Sequence, residues 1–148
     1  MQAGLGVTVT SSSQGAGQPH MVVGREGTGA CHTNNEPNSW FAIDLGAGRC
    51  IRPTHYTLRH GFQGELCRLL HWKLQGGNDG ASWTDLRTHV NDQALPAAAF
   101  STASWPLAPP DRRAAYRHFR VLQTGENSSG TDHLMMCGLE VYGAVDWA

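Results

Sequence analysis

Apolar and polar residues alternate in short runs along most of the chain, and each run closes on turn-forming residues. A period of two places successive side chains on opposite faces of an extended strand, one face for a core and one for water. Val7 and Val9 alternate with Thr8 and Thr10, and Phe41, Ile43 and Leu45 share one side of the run 40–45. Residues 51–60 are again extended, with Pro53 near the start, where it suits a sheet edge or a bulge. Leu70, Trp72 and Leu74 alternate with His71, Lys73 and Gln75. Asn78-Asp79-Gly80 then signals a turn into the run 82–90, which carries Trp83 and Leu86. Residues 103–107 form a short apolar run, broken by Pro109 and Pro110. Phe119 and Val121 are predicted to face inward from 116–123, and Leu139 and Val141 from 134–142. Trp40, Trp72, Trp83 and Trp105 lie in these runs and are expected to pack in the core or at a sheet edge.

No window carries a long amphipathic helix, and there is no internal repeat or low-complexity tract. Strands of this number and spacing, about eight with glycine-rich turns between them, predict an all-β antiparallel β-sandwich. At 148 residues the chain fits one domain with a core large enough to need no disulfide or metal staple.

Charge narrows the function classes. Charged residues make up 16% of the chain and the net charge is −1, so no long-range field gathers nucleic acid or anionic membrane. Arg112, Arg113, Arg117, Arg120 and His118 form a local basic patch, which alternation along a strand predicts to be a solvated face. No apolar run reaches the roughly 20 residues of a membrane span, and small and polar residues after Met1 give no sign of a signal peptide. Enzyme motifs are missing: there is no G-x-S-x-G elbow, no H-E-x-x-H and no phosphate-binding loop opening a helix. The chain is therefore expected to be non-catalytic.

Cys31, Cys50, Cys67 and Cys137 allow three pairings into two disulfides, but none falls in a C-x-x-C and none lies near a chain end. Buried or half-buried thiols in a reducing, intracellular and cytoplasmic setting are the simpler expectation. Cys31-His32 is a possible metal half-site without a second pair, and no loop clusters Asp or Glu for calcium, so no cofactor or metal is expected.

Several of these runs carry recognisable words. Residues 38–46, Asn-Ser-Trp-Phe-Ala-Ile-Asp-Leu-Gly, resemble the "W-x-x-x-D-L-G" strand of discoidin-like, coagulation-factor C-type domains. Residues 72–83, from Trp72 to Trp83, resemble the "W-x-L-x-G-S-N-D-G-x-x-W" hairpin of the same group, the most specific of the words. Residues 53–61, 116–121, 125–130 and 138–143 are similar to further strands and a loop of an intracellular branch. That branch occurs in large HECT-type ubiquitin ligases and BTB-domain adaptors. The resemblance covers residues 6–143, leaving 1–5 as a flexible terminus and 144–148 as a tail. It implies a galactose-binding-like jelly roll that binds protein, phospholipid or carbohydrate through loops at one end. The terminal disulfide of secreted members has no counterpart here, which favours an intracellular role.

Under that topology three loops meet at one end of the sandwich. The first supplies Arg25, His32, Asn34 and Asn35, the second His60, Phe62, Gln63 and Arg68, and the third Asn127, Ser128, Thr131 and His133. Amides, imidazoles and a guanidinium can hold peptide carbonyls or a carboxylate, and a ring such as Phe62 can anchor an apolar side chain. Each has a structural alternative: the asparagines as turn formers, His60 as a strand-end hydrogen-bonder, Phe62 as an end plug, Arg68 paired with Glu65. The expected partner is a protein or peptide, including a ubiquitylation substrate. The alternatives are a carbohydrate ligand, or a spacer packed on neighbouring domains. Lys73 is the only lysine. Coding bias toward Ala, Gly and Arg accounts for that, and a shortage of acceptor amines beside a ubiquitin-transferring centre is the other explanation.

Overall fold

The computed structural model describes residues 7–23, 31–61, 64–108, 111 and 113–147. Among these, eight strands form two antiparallel sheets: β1 (Thr8–Ser11), β2 (Trp40–Asp44), β3 (Arg49–Arg59), β4 (Trp72–Gly77), β5 (Thr84–His89), β6 (Thr102–Pro106), β7 (His118–Gln123) and β8 (Gly138–Trp147). One sheet has the order β1-β2-β7-β4-β5 and the other β6-β3-β8. Among the described residues one 3-10 turn, Pro19–Val23, lies between β1 and β2.

The alternation sets which face is buried. Phe41 and Ile43 of β2, Trp72 and Leu74 of β4, and Phe119 and Val121 of β7 point into the sandwich from the larger sheet. Tyr56 and Leu58 of β3, Trp105 of β6, and Leu139 and Val141 of β8 meet them from the smaller one. Each fully buried aromatic or branched side chain here contributes about 1.5–3 kcal/mol relative to exposure. The sheets are also stitched at one end, where Ile51 and Tyr116 exchange backbone hydrogen bonds of 3.0 and 2.9 Å.

The turn at 78–80 forms for the reason its residues suggest. The Asp79 carboxylate accepts the amides of Ala81 and Ser82 at 2.8 and 2.7 Å, and Gly80 takes φ 74°. Pro53 marks a register shift in the β3–β8 ladder, as its position near the strand start predicts. Gly143 pairs with Pro53 there, and a Cβ on it would run into the Arg52 carbonyl.

Three expectations change. Residues 144–147 are strand and pair with Arg49–Arg52, because β3 is long enough to template them. Trp72 and Trp105 are core, but Trp40 and Trp83 are half-buried on the outer side of the larger sheet. Arg117 of the basic patch is not simply solvated: its guanidinium grips Asp44 at 2.7 and 3.0 Å. The four cysteines are free, with Cys31, Cys67 and Cys137 buried and Cys50 half-buried.

Candidate functional site

The three loop segments meet at one end of the sandwich. The segment 64–69 is joined to 124–133 by a hydrogen-bond zipper: Cys67 N donates to Ser129 Oγ at 2.8 Å, Arg68 N to Ser128 Oγ at 2.9 Å and Ser128 N to Arg68 O at 2.9 Å. Ser128 Oγ donates in turn to the Glu65 carbonyl. Cys67 has φ 57°, uncommon for a residue with a Cβ, and the Ser129 hydroxyl holds its amide in that conformation. The segment 31–35 joins the same group through Thr33 and Leu134, which exchange backbone and hydroxyl bonds of 2.9–3.1 Å. Asn35 Oδ1 accepts Asp132 N at 2.7 Å.

Besides the Ser128 hydroxyl, two predicted residues are buried in this scaffold. Asn127 is buried, and both ends of its amide are used. Its Nδ2 donates to Thr131 Oγ1 and His133 O at 2.8 and 2.9 Å, while Oδ1 accepts the amides of Ser129 and Thr131. His60 is fully buried, donates from Nε2 to Gly64 O at 2.8 Å, and leaves Nδ1 without a hydrogen-bond partner among the described residues. Burial holds its pKa below the ordinary histidine value.

The other predicted residues form a rim. His32 and His133 are half-buried with rings edge to face at 5.0 Å, and both donate from Nδ1 to the same acceptor, the Thr33 carbonyl, at 2.7 and 3.0 Å. In the neutral rings this puts the proton on Nδ1 and leaves each Nε2 as an acceptor. Asn34, Asn35 and Ser128 are exposed, and Thr131 is half-buried. Arg68 is half-buried and donates to the Leu95 carbonyl at 3.4 Å rather than to Glu65. Arg25, Phe62 and Gln63 lie outside the described residues.

Sequence reasoning missed two participants. Thr33, fully buried, is the hub to which both imidazoles and Leu134 bind. Leu66 is 54% exposed at the tip of the second loop and is the apolar group there. Thr33 carried no local signal, because two of its partners, His133 and Leu134, lie 100 and 101 residues away.

Among the described residues, no group of three or more His, Cys, Asp or Glu is placed to hold a metal ion. No helix among them is long and apolar enough to cross a membrane.

The F5/8 type C domain family matches residues 7–135. The E3 ubiquitin-protein ligase Ufd4 of Drosophila melanogaster is 41% identical over 97% of this chain and 5% of its own length. The E3 ubiquitin-protein ligase hecd-1 of Caenorhabditis elegans is 36% identical over 94% of this chain, again 5% of its length. A BTB/POZ domain-containing protein of Arabidopsis thaliana is 35% identical over 72% of this chain and 13% of that protein. The chain thus spans about one-twentieth of the two ligases. Two solved structures share the fold. A Clostridium perfringens CBM32 domain in complex with GalNAc-β-1,3-galactose has TM-score 0.71 and 14% identity, covering 93% of this chain and 95% of its own. The lectin domain of lectinolysin complexed with Lewis B antigen has TM-score 0.72 and 17% identity, covering 94% of each chain.

Proposed function

Since the chain belongs to the F5/8 type C, discoidin-like domain family and is a non-catalytic binding module, we propose that its loop end recognises a protein or peptide segment within the ubiquitin pathway. It works inside a larger intracellular protein, of which residues 6–143, extended by β8 to Trp147, are the recognition unit. The observation that carries this reading is the division of labour at the loop end. Asn127, His60, Thr33 and the Ser128 hydroxyl lock the loops internally, and the rim of His32, Asn34, Asn35 and His133 is left to face a ligand. Loops held rigid before binding lose little entropy on capture, so such a rim suits recognition. The fixed Nε2 acceptors of the imidazoles match peptide N–H donors, the exposed amides match either backbone group, and Leu66 offers an apolar contact. Free cysteines and the ligase relatives support an intracellular setting.

The test is a peptide array probed with this chain and with a His32→Ala, Asn34→Ala, His133→Ala variant whose folding is checked by circular dichroism. Loss of bound peptides in a folded variant is expected. If every bound peptide keeps its affinity, the rim assignment is wrong. The carbohydrate alternative rests on the sugar complexes of the structural neighbours. A glycan array with the same protein decides it: binding abolished by the triple variant would move the loop end to sugar recognition.

A further inference from the structure

A second surface lies on the outer side of the five-stranded sheet. One rung across that face runs Thr10, Ala42, Arg120, Gln75, Asp85, from β1 through β2, β7 and β4 to β5. Over it lies a groove of about 220 Å³, with Trp40 and Trp83 among its walls and Thr10, Ala42, His118 and Arg120 beneath. Trp40 comes from the start of β2, and Trp83 from the end of the 78–83 turn. Both indoles are half-buried and line this groove.

The charges on this face are nearly all paired. Asp44 is held by Arg117 through both oxygens, with His118 at 4.0 Å. The Asp85 oxygens accept from Lys73 Nζ at 2.9 Å and from Gln75 Nε2 at 2.8 Å. Arg120 is the exception: it feels the Asp85 carboxylate along the rung but makes no hydrogen bond to it. Its Nε donates to a neutral acceptor, Gln75 Oε1, at 2.8 Å, and its two terminal amino groups have no hydrogen-bond partner among the described residues. The guanidinium stacks 4.4 Å from the Trp83 ring centroid and 6.0 Å from that of Trp40, so its orientation is fixed before any ligand arrives. A half-buried guanidinium with its outer fork unspent is preorganised for a carboxylate.

We propose that this groove is a binding site, separate from the loop end, for an acidic peptide segment. A Glu or Asp carboxylate meets the terminal amino groups of Arg120, and a flanking apolar side chain lies against Trp40 and Trp83. The volume suits one or two side chains rather than a folded surface. A sugar fits less well. The carboxylate in the groove is already engaged by Arg117 and so offers little to hydroxyl donors, and Arg120 covers an indole face on which a sugar ring would stack. Nucleic acid is disfavoured, because it needs several phosphate contacts and the chain carries net charge −1.

The experiment titrates the peptide Gly-Gly-Leu-Glu-Leu-Gly-Gly, and its twin with Gln for Glu, into the ¹⁵N-labelled chain while the indole N–H signals are followed. The Glu peptide is expected to move the signals of Trp40 and Trp83, and the Gln twin to bind about tenfold or more weakly, the loss of one charge-assisted hydrogen-bonded pair. Arg120→Gln should erase the difference between the peptides. Because that variant also removes a stacking partner, Ala42→Glu is the second: it sets a carboxylate beside Arg120 on the same rung and should block the Glu peptide in a chain with unchanged amide dispersion. The His32, Asn34, His133 triple variant should bind the peptide normally, so failure at the loop end and failure here are distinguishable. Equal affinity for the two peptides, shifts confined to residues 31–39 and 124–137, or glucuronate binding as tightly as the Glu peptide would each overturn the proposal.

Discussion

Tyr56→Phe removes one oxygen from the middle of the core, and its cost can be worked out from the partners left behind. Tyr56 is fully buried in β3, and its hydroxyl joins the two sheets. Trp72 Nε1 donates to it at 2.8 Å, and it donates to His89 Nε2 at 2.6 Å. His89 Nδ1 in turn donates to Asp92 Oδ2 at 2.7 Å, which requires the neutral ring with its proton on Nδ1. The imidazole is stacked on the Trp72 indole at 3.9 Å, and Trp105 packs edge-on against both rings, so neither has room to turn toward another partner. The substitution therefore orphans a buried N–H and a buried imidazole nitrogen. Each unsatisfied group costs about 1–3 kcal/mol, for a total of about 2–6 kcal/mol. Against a stability of about 5–15 kcal/mol for an ordinary domain, that is a large fraction. The assay is urea unfolding followed by tryptophan fluorescence, with Tyr142→Phe on the exposed side of β8 as the control, expected within about 0.5 kcal/mol of wild type. If Tyr56→Phe also stays within about 0.5 kcal/mol, the hydroxyl is not a structural bond and the reasoning fails.

Three further outcomes are expected. Stability should fall as the pH drops below about 6.5, because burial depresses the pKa of His60 and His89 and the unfolded chain then takes up protons that the folded one refuses. Each histidine contributes up to about 1.4 kcal/mol per pH unit in that window and nothing above it, so a flat urea-unfolding profile between pH 7.5 and 5.5 would contradict the burial of both rings. Asn127→Ala deletes four side-chain hydrogen bonds inside the third loop; a loss of about 2–4 kcal/mol and faster amide exchange at 129–133 are expected, and unchanged exchange would show that the loop closes without it. Brief alkylation of the native chain with iodoacetamide at pH 8 should add one group, at half-buried Cys50. Cys31, Cys67 and Cys137 are buried, the thiols of Cys31 and Cys137 pushed up to about 11, and all three should need denaturant; a second rapid adduct in intact-mass spectra would refute this.

Much of the fold was legible because strand sidedness is a local property. Phe41 and Ile43, or Phe119 and Val121, can be assigned inward from their neighbours alone, and Asp79 caps its own turn two and three residues on. The same parity already put Trp40 on the side opposite Phe41, beside Ala42 and Asp44, yet residue type suggested packing and hid its outward position. Residues 144–147 gave little alternation of their own, and it was the length of β3 that made them a strand. The loop end was legible as an inventory of polar residues but not as a division of labour. Asn127 and Ser128 are adjacent and alike in sequence, yet one is buried with its amide saturated inside its own loop while the other is exposed and clasps the neighbouring loop. The chain by itself determined which residues alternate, where it turns and that its charge is nearly balanced, since these depend on neighbours and on composition. The tertiary structure decided which polar groups are consumed inside the molecule and which, like the two imidazoles and Arg120, keep polar atoms at its surface. The physical reason is that a buried donor or acceptor must find its partner in space, and for Tyr56, Trp72, His89 and Thr33 that partner lies on another strand or loop.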